Sequence, residues 1–405
     1  MAKKIACIII VLCLSFSPAV GAYQVDAGDE FAVLTGIGIG TPVAEARTAS
    51  KPQFELDAQS AILVERETGE VLYEKNSDEP RAIASITKIM TLILVMEAVE
   101  NGAIKLEDEV TTSEHAYSMG GSQIWLEPGE KMTVDELLRA VAVVSANDAA
   151  VALAEFVGGS EESFVVQMNE KAAALGMTGT VFKNANGLDE EGHISCARDV
   201  AAMSREVLRH ELVRNYVTVW MDELRGGETQ LTNTNKMLKS FNGITGIKTG
   251  TTDKAGVCVS ASALRDGMEL IAVVLGSSDS KSRFAAATEI LNYGFAYYEL
   301  AKIDIKPSDL NQIRVKLGEK DYCEYIYSIP KSIVVSKGKR DSVSYEAEIA
   351  ETISAPVEKG QTVGVIKIYS SGEMIGEYPI TSCEAIDKIG FFSGLGMLFR
   401  ALCEM

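Results

Sequence analysis

Histidine is nearly absent from this 405-residue chain: only His115, His193 and His210 occur. A histidine-rich metal centre has too little material to form, and any catalytic base must be sought among other residue types. No Cys-x-x-Cys pair is present, which removes zinc ribbons and thioredoxin-like redox sites. Positive charge is in deficit, with 38 Lys and Arg against 57 Asp and Glu. The formal net charge of −19 argues against nucleic acid as a partner, because phosphate binding needs a basic face. Long apolar runs are missing too. The stretch from Ile5 to Phe16 is short for the hydrocarbon core of a bilayer.

What remains is the balance of an ordinary globular protein, 47% hydrophobic and 23% charged, with a length that suits two to three domains. Lys3 and Lys4, the apolar stretch and Val20-Gly21-Ala22 together read as an export signal over residues 1–22, with a retained anchor as the alternative. Cleavage would remove Cys7 and Cys13. The remaining odd set, Cys196, Cys258, Cys323, Cys383 and Cys403, is no disulfide framework and reads mostly as small buried hydrophobes. Residues 23–53 read as a linker; their Gly36-x-Gly38-x-Gly40 run has the wrong spacing for a phosphate loop.

Residues 54–300 carry the pattern of an α+β domain. Ala61 to Val64 and Val71 to Tyr73 flank a turn at Thr68-Gly69 and predict a hairpin. Ile86, Ile89, Met90, Ile93, Leu94 and Met96 predict a helix apolar on most sides, which must run through the middle of a domain. Thr133-x-x-Glu136 is a capping box, and further helices follow from Asp148 to Phe156 and from Ser160 onward. Gly256 to Leu264 and Met268 to Ser277 predict two strands around Arg265-Asp266-Gly267, and residues 281–299 a helix. The sum is a helical cluster on an antiparallel sheet whose strands come from both ends of the domain. Residues 301–385 turn to short alternating segments and predict a small all-β domain; Ser332 to Ser336 is one of its expected strands. The apolar, glycine-containing tail at 386–405 is short for a span. It fits an amphipathic helix in a membrane interface, with docking on the β domain as the alternative.

Without abundant histidine, the first candidate nucleophile is Ser85 in Ser85-Ile-Thr-Lys88. Positions three apart share a helix face, so the Lys88 amine can reach the Ser85 hydroxyl. A lysine acts as a base only when burial or a nearby cation lowers its pKa, and the apolar helix supplies the burial. Ser-x-x-Lys also occurs at Ser278/Lys281, Ser328/Lys331 and Ser336/Lys339, but in expected turns or the β region. Ser145-Ala-Asn147 could place a proton relay and an amide at one site if its backbone is extended; helix capping is the simpler reading taken alone. Lys248-Thr249-Gly250 ends an apolar strand. Its lysine and threonine suit a carboxylate, and its glycine would let a substrate backbone lie against the strand edge.

In this order the three elements resemble the penicillin-recognising serine acyltransferases, and within them the D-alanyl-D-alanine carboxypeptidases. Asn186-Gly-Leu-Asp189, Ala197-Arg-Asp199 and the continuation of Lys248-Thr-Gly to Gly256 also look like that family. The resemblance implies a penicillin-binding-protein/β-lactamase-like fold, needs no cofactor or metal, and assigns roles. Ser85 would attack the carbonyl between two D-alanines and Lys88, held neutral, would take its proton. Ser145 would protonate the leaving D-alanine, and Asn147 would orient Lys88 and the substrate amide. Lys248 and Thr249 would hold the terminal carboxylate. Arg283 stands where the family often has a carboxylate-binding arginine, with a plain surface arginine as the alternative. The amides of Ser85 and Thr251 would form the oxyanion hole. Implied partners are a peptidoglycan pentapeptide, β-lactams and, through the tail, a membrane surface outside the cytoplasm.

The sequence departs from the family pattern at Cys196, where threonine is commoner, and at Thr251, where some relatives carry histidine. A β-lactamase on this fold would need a deacylating glutamate, for which Glu211-Leu-Val-Arg214-Asn215 is an imperfect candidate. A transpeptidase or endopeptidase would share the acyl-enzyme. An inactive wall-binding scaffold is the non-enzymatic alternative, and three intact motifs speak against it.

Overall fold

The computed structural model describes residues 55–390, the strand residues 23–24, and positions 394–395 and 403. The export signal, all but residues 23–24 of the 23–53 linker, and most of the tail lie outside the described residues. The chain divides into two compact units. One runs from Thr48 to Lys302 and includes Ser332–Asp341; the other holds Ile303–Lys331 and the chain from Ser342 onward.

The first unit is built on a five-stranded antiparallel sheet. Its strands are β1 (Ser60–Glu65), β2 (Val71–Lys75), β3 (Ile244–Thr252), β4 (Gly256–Arg265) and β5 (Met268–Ser277), in the spatial order β2-β1-β5-β4-β3. Both faces of β1 and β5 are buried, so successive residues feed alternate cores. Ile62, Val64, Ile271, Val273 and Leu275 point into the large helical core. Ala61, Leu63, Leu270, Ala272 and Val274 point into a second core with Ala287, Ile290 and Leu291.

Six longer helices complete this unit: α1 (Lys88–Glu100), α2 (Val134–Val143), α3 (Asn147–Gly158), α4 (Glu161–Ala174), α5 (Ala197–Val207) and α6 (Ser280–Tyr297). All of α1 except Glu97, Val99 and Glu100 is buried, as its all-round apolar sequence demands. Each buried Leu, Ile or Met in it contributes about 1.5–3 kcal/mol, which holds the N-terminal end of α1 firmly inside the unit. The Thr133/Glu136 capping box opens α2 as expected. Ser160 caps α4 by accepting from Ser163 N.

Among the described residues the second unit is β apart from two 3-10 turns, Pro307–Asp309 and Arg340–Ser342, the latter beginning in the first unit, and helical positions at 394–395 and 403. Its main sheet places Tyr325–Tyr327, Glu373–Ser382, Thr362–Ser370 and Val343–Ile349 side by side, with Tyr23–Gln24 outermost. Two details differ from expectation. Ser332–Ser336 pairs with Tyr298–Lys302 and so belongs to the first unit. Glu373–Ser382 was not recognisable as a strand, because Gly376 and Pro379 interrupt its pattern. Pro379 pairs with Val365 and sits just past the end of the Tyr325–Tyr327 ladder, where a missing N–H is tolerated.

Candidate active site

Ser85 lies in a 3-10 turn, Ala84–Thr87, that runs straight into α1. The residue before it, Ala84, has φ +50, a left-handed conformation rare outside glycine. The turn packs against β3 at Gly250. A Cβ there would stand 2.9 Å from Ile83 O and 3.0 Å from Ser85 N. The glycine of Lys-Thr-Gly is therefore required by the turn carrying Ser85 itself, a reason beyond the expected approach of a substrate backbone.

Lys88 is fully buried, and its Nζ has three neighbours: Ser85 Oγ at 3.0 Å, Asn147 Oδ1 at 2.6 Å and the Asn186 carbonyl at 2.6 Å. Burial above all, and then the charge of Lys248, pushes its pKa well below the usual lysine value, while Asp148 opposes the shift. A neutral amine has two N–H groups and one lone pair. The two carbonyl oxygens accept but cannot donate, so they take both N–H groups. The lone pair is left facing the only neighbour that owns a proton, the Ser85 hydroxyl. The Asn147 amide is locked in the matching orientation, because its Nδ2 donates to Gly120 O at 2.6 Å.

Asn186 was noted in the sequence only as part of a family-like segment; its backbone carbonyl is a direct partner of the base. The segment holding it is tied down on several sides. Thr91 Oγ1 donates to Ala185 O, Thr252 Oγ1 donates to Asp189, and a Cβ on Gly187 (φ +85) would stand 2.0 Å from Ala84 O. His193 closes the segment. Burial lowers its pKa to about 4 and keeps it neutral; Nδ1 accepts from Lys183 N, so Nε2–H donates to Thr87 Oγ1 at 2.7 Å.

Ser145 sits at φ +66 between α2 and α3, in a left-handed turn, so the condition of extended backbone is not met. Nor does it cap a helix: the N-cap of α3 is Ala146, with no side-chain bond. The buried Ser145 Oγ has no hydrogen-bond partner, a cost that folding accepts and a group left available for chemistry. Asp148, which follows Asn147, is buried and accepts from Ile124 N, Leu126 N and Ala149 N.

On β3, Lys248 is buried and donates to Thr249 O at 3.0 Å. Burial first, and then Arg283, brings its pKa down to about 7. Thr249 Oγ1 donates to Thr234 Oγ1 at 2.6 Å, and Thr251 Oγ1 to Gly250 O. Arg283 comes from α6 and is buried, which excludes the plain surface arginine. Its Nη1 donates to Gly250 O and Cys258 O, with Thr251 Oγ1 at 3.3 Å, and its buried Nε has no partner. Burial lowers its pKa to about 10. Lys248 and Arg283 thus concentrate positive potential at one strand end, which favours the neutral form of Lys88 and suits a carboxylate.

Several sequence candidates stay outside this constellation. Ser278/Lys281, Ser328/Lys331 and Ser336/Lys339 are exposed. Glu211 is exposed in a 3-10 turn and paired with Arg214. Cys196 and Cys258 are buried, and desolvation raises both thiols to about 11, which leaves them inert as nucleophiles.

Comparison with known proteins agrees with this geometry. Residues 45–279 match the family model described as D-alanyl-D-alanine carboxypeptidase, and residues 298–388 the model of the penicillin-binding protein 5 C-terminal domain. The D-alanyl-D-alanine carboxypeptidase DacF of Bacillus subtilis (strain 168) is 45% identical over 371 residues, 90% of this chain and 95% of its own. DacC of Escherichia coli (strain K12) is 35% identical, over 87% and 89%. Among solved structures, penicillin binding protein 5 from Haemophilus influenzae matches with a TM-score of 0.75 at 29% identity, covering 83% of this chain and 99% of its own. Penicillin-binding protein D2 from Listeria monocytogenes, in its ampicillin-bound form, matches with a TM-score of 0.56 at 32% identity, over 60% and 99%. With both units matched and the relatives covered almost end to end, the protein belongs to the serine-peptidase family of D-alanyl-D-alanine carboxypeptidases.

Proposed function

We propose that the enzyme removes the terminal D-alanine from peptidoglycan pentapeptide stems through an acyl-enzyme on Ser85. The observation that carries this is the set of partners around Lys88 Nζ, which leaves its lone pair for the Ser85 proton. Lys88 takes that proton as Ser85 Oγ bonds to the carbonyl carbon between the two D-alanines. The oxyanion that forms is held by the backbone amides of Ser85 and Thr251. As the C–N bond breaks, the leaving nitrogen receives the proton from Lys88 through Ser145, whose hydroxyl has no competing partner. Water then gives a proton to Lys88 and attacks the ester, releasing the shortened peptide and restoring Ser85. Lys248, Thr249 and Arg283 hold the substrate's terminal carboxylate, which restricts cleavage to a free C-terminus.

A β-lactam enters by the same attack on its ring carbonyl and remains as the ester. The enzyme works outside the cytoplasm, delivered by the 1–22 signal and held at the membrane surface by the 386–405 tail. Among the described residues no helix is long and apolar enough to cross a membrane. The test is D-alanine release from a peptide ending in D-Ala-D-Ala, beside covalent labelling by fluorescent penicillin. Both should vanish in Ser85→Ala, and release should vanish when the peptide C-terminus is amidated. Labelling that persists in Ser85→Ala would end the proposal.

A further inference from the structure

Far along α1 from Ser85, a second polar cluster has no part in the chemistry above. Glu97 in the last turn of α1, Glu206 in α5 and His210 just beyond α5 each offer a ligand atom, and these atoms lie within 4.8 Å of one another. The imidazole is buried and oriented. His210 Nδ1 lies 2.8 Å from Glu100 Oε2, so the ring proton sits on Nδ1 and is donated to that carboxylate. The other nitrogen, Nε2, is left as a buried lone pair with no hydrogen-bond partner. Carboxylate, imidazole and vacant nitrogen in sequence form the arrangement by which an outer carboxylate orients a metal-binding histidine.

The cluster already holds a positive charge. Lys171 Nζ, from α4, contacts Glu97 Oε1 at 2.5 Å and Glu206 Oε1 at 2.8 Å, and Arg209 reaches Glu206 from outside at 3.5 Å. The ammonium satisfies the two carboxylates but makes no hydrogen bond to the imidazole Nε2. A divalent ion satisfies all three groups at once.

We infer that Glu97, Glu206 and His210 form a binding site for a divalent transition-metal ion of the Zn2+ type, which displaces the ammonium of Lys171. One nitrogen and two carboxylate oxygens, with water completing the shell, suit Zn2+ or Co2+ better than Mg2+ or Ca2+, which favour oxygen alone. Ligand atoms on a tetrahedral ion with bonds of 2.1 Å stand about 3.4 Å apart, so the present spread closes by side-chain rotation. The ion would tie the end of α1 to α5 and leave the Ser85 end unchanged.

The probe is Co2+ alone, titrated into metal-stripped full-length protein, with Zn2+ competition and thermal melting beside it. One Co2+ per chain should bind saturably, with the visible bands of a low-coordinate nitrogen–oxygen site and a raised melting temperature. His210→Gln should abolish binding, and Lys171→Met should tighten it by roughly tenfold, since no ion pair need be broken. Both variants should keep wild-type penicillin labelling, which certifies their fold; Glu97→Gln replaces His210→Gln if that variant does not fold. Absence of saturable Co2+ uptake overturns the inference. So does uptake unchanged in His210→Gln, or sulfur-to-cobalt charge transfer, which would place the ion on the cysteines. Binding no tighter in Lys171→Met overturns the displacement.

Discussion

Gly187→Ala probes how the Asn186 carbonyl is held against the base. At φ +85 an alanine carries a left-handed penalty of about 1–2 kcal/mol. Its Cβ would also stand 2.0 Å from Ala84 O and 2.9 Å from Thr87 Oγ1, atoms of the turn that carries Ser85. Relieving that contact means moving backbone on one side or the other, which costs about 1–3 kcal/mol. Together these destabilise the first unit by about 2–5 kcal/mol, or about 4–20 °C in Tm. A shift of about 1 Å between Ser85 and Lys88 slows acylation about 100-fold. The assay is the second-order rate of fluorescent penicillin labelling, taken well below the variant's Tm. Gly192→Ala is the control: it has φ +80 in the same segment, but its Cβ would approach only the flexible Lys183 Cε at 3.3 Å. It should lose stability through strain and acylate within about twofold of wild type. A folded Gly187→Ala protein that acylates as fast as this control would refute the role given to the Asn186 carbonyl.

The pH dependence has two sides. The depressed pKa of Lys88 makes the base available from well below 10.5 upward, so kcat/KM rises with pH on the acid side. Lys248 is charged below about 7 and loses its charge above it, so kcat/KM for a carboxylate-bearing peptide falls on the alkaline side. Lys248→Arg, which stays protonated, should remove that alkaline fall; an unchanged profile would show that Lys248 does not bind the carboxylate. Asn147→Asp places a carboxylate 2.6 Å from Lys88 Nζ and should raise the lysine pKa by about 1–3 units. Its acid limb should move to higher pH by that amount, with acylation slowed in proportion on that limb; a limb that stays put would contradict the pairing.

Patterns that depend on side-chain type were legible in the sequence. The apolar helix behind Ser85, the Thr133/Glu136 capping box, the sheet strands and the serine–lysine spacing follow from periodicity and residue chemistry. What the sequence hid depends on backbone and long-range pairing. The partner of Lys88 at Asn186 is a main-chain carbonyl, which any residue type would supply. The left-handed backbone of Ser145 defeats an argument from extended spacing, and the tight contact at Gly250 appears only when the turn and strand are assembled. Ser332–Ser336 looks like a strand of the second unit, since nothing local reveals that its partner is Tyr298–Lys302.

The protonation state of Lys88 can be read directly. With lysine labelled at Cε and Nζ with carbon-13 and nitrogen-15, the Lys88 resonance, assigned by its loss in Lys88→Met, should turn from ammonium to neutral amine at a pH well below the usual lysine value of 10.5. Its shift toward the ammonium position should come only on acidification, in step with the loss of acylation. An ammonium signal that persists to about pH 10 in an acylation-competent protein would contradict the mechanism.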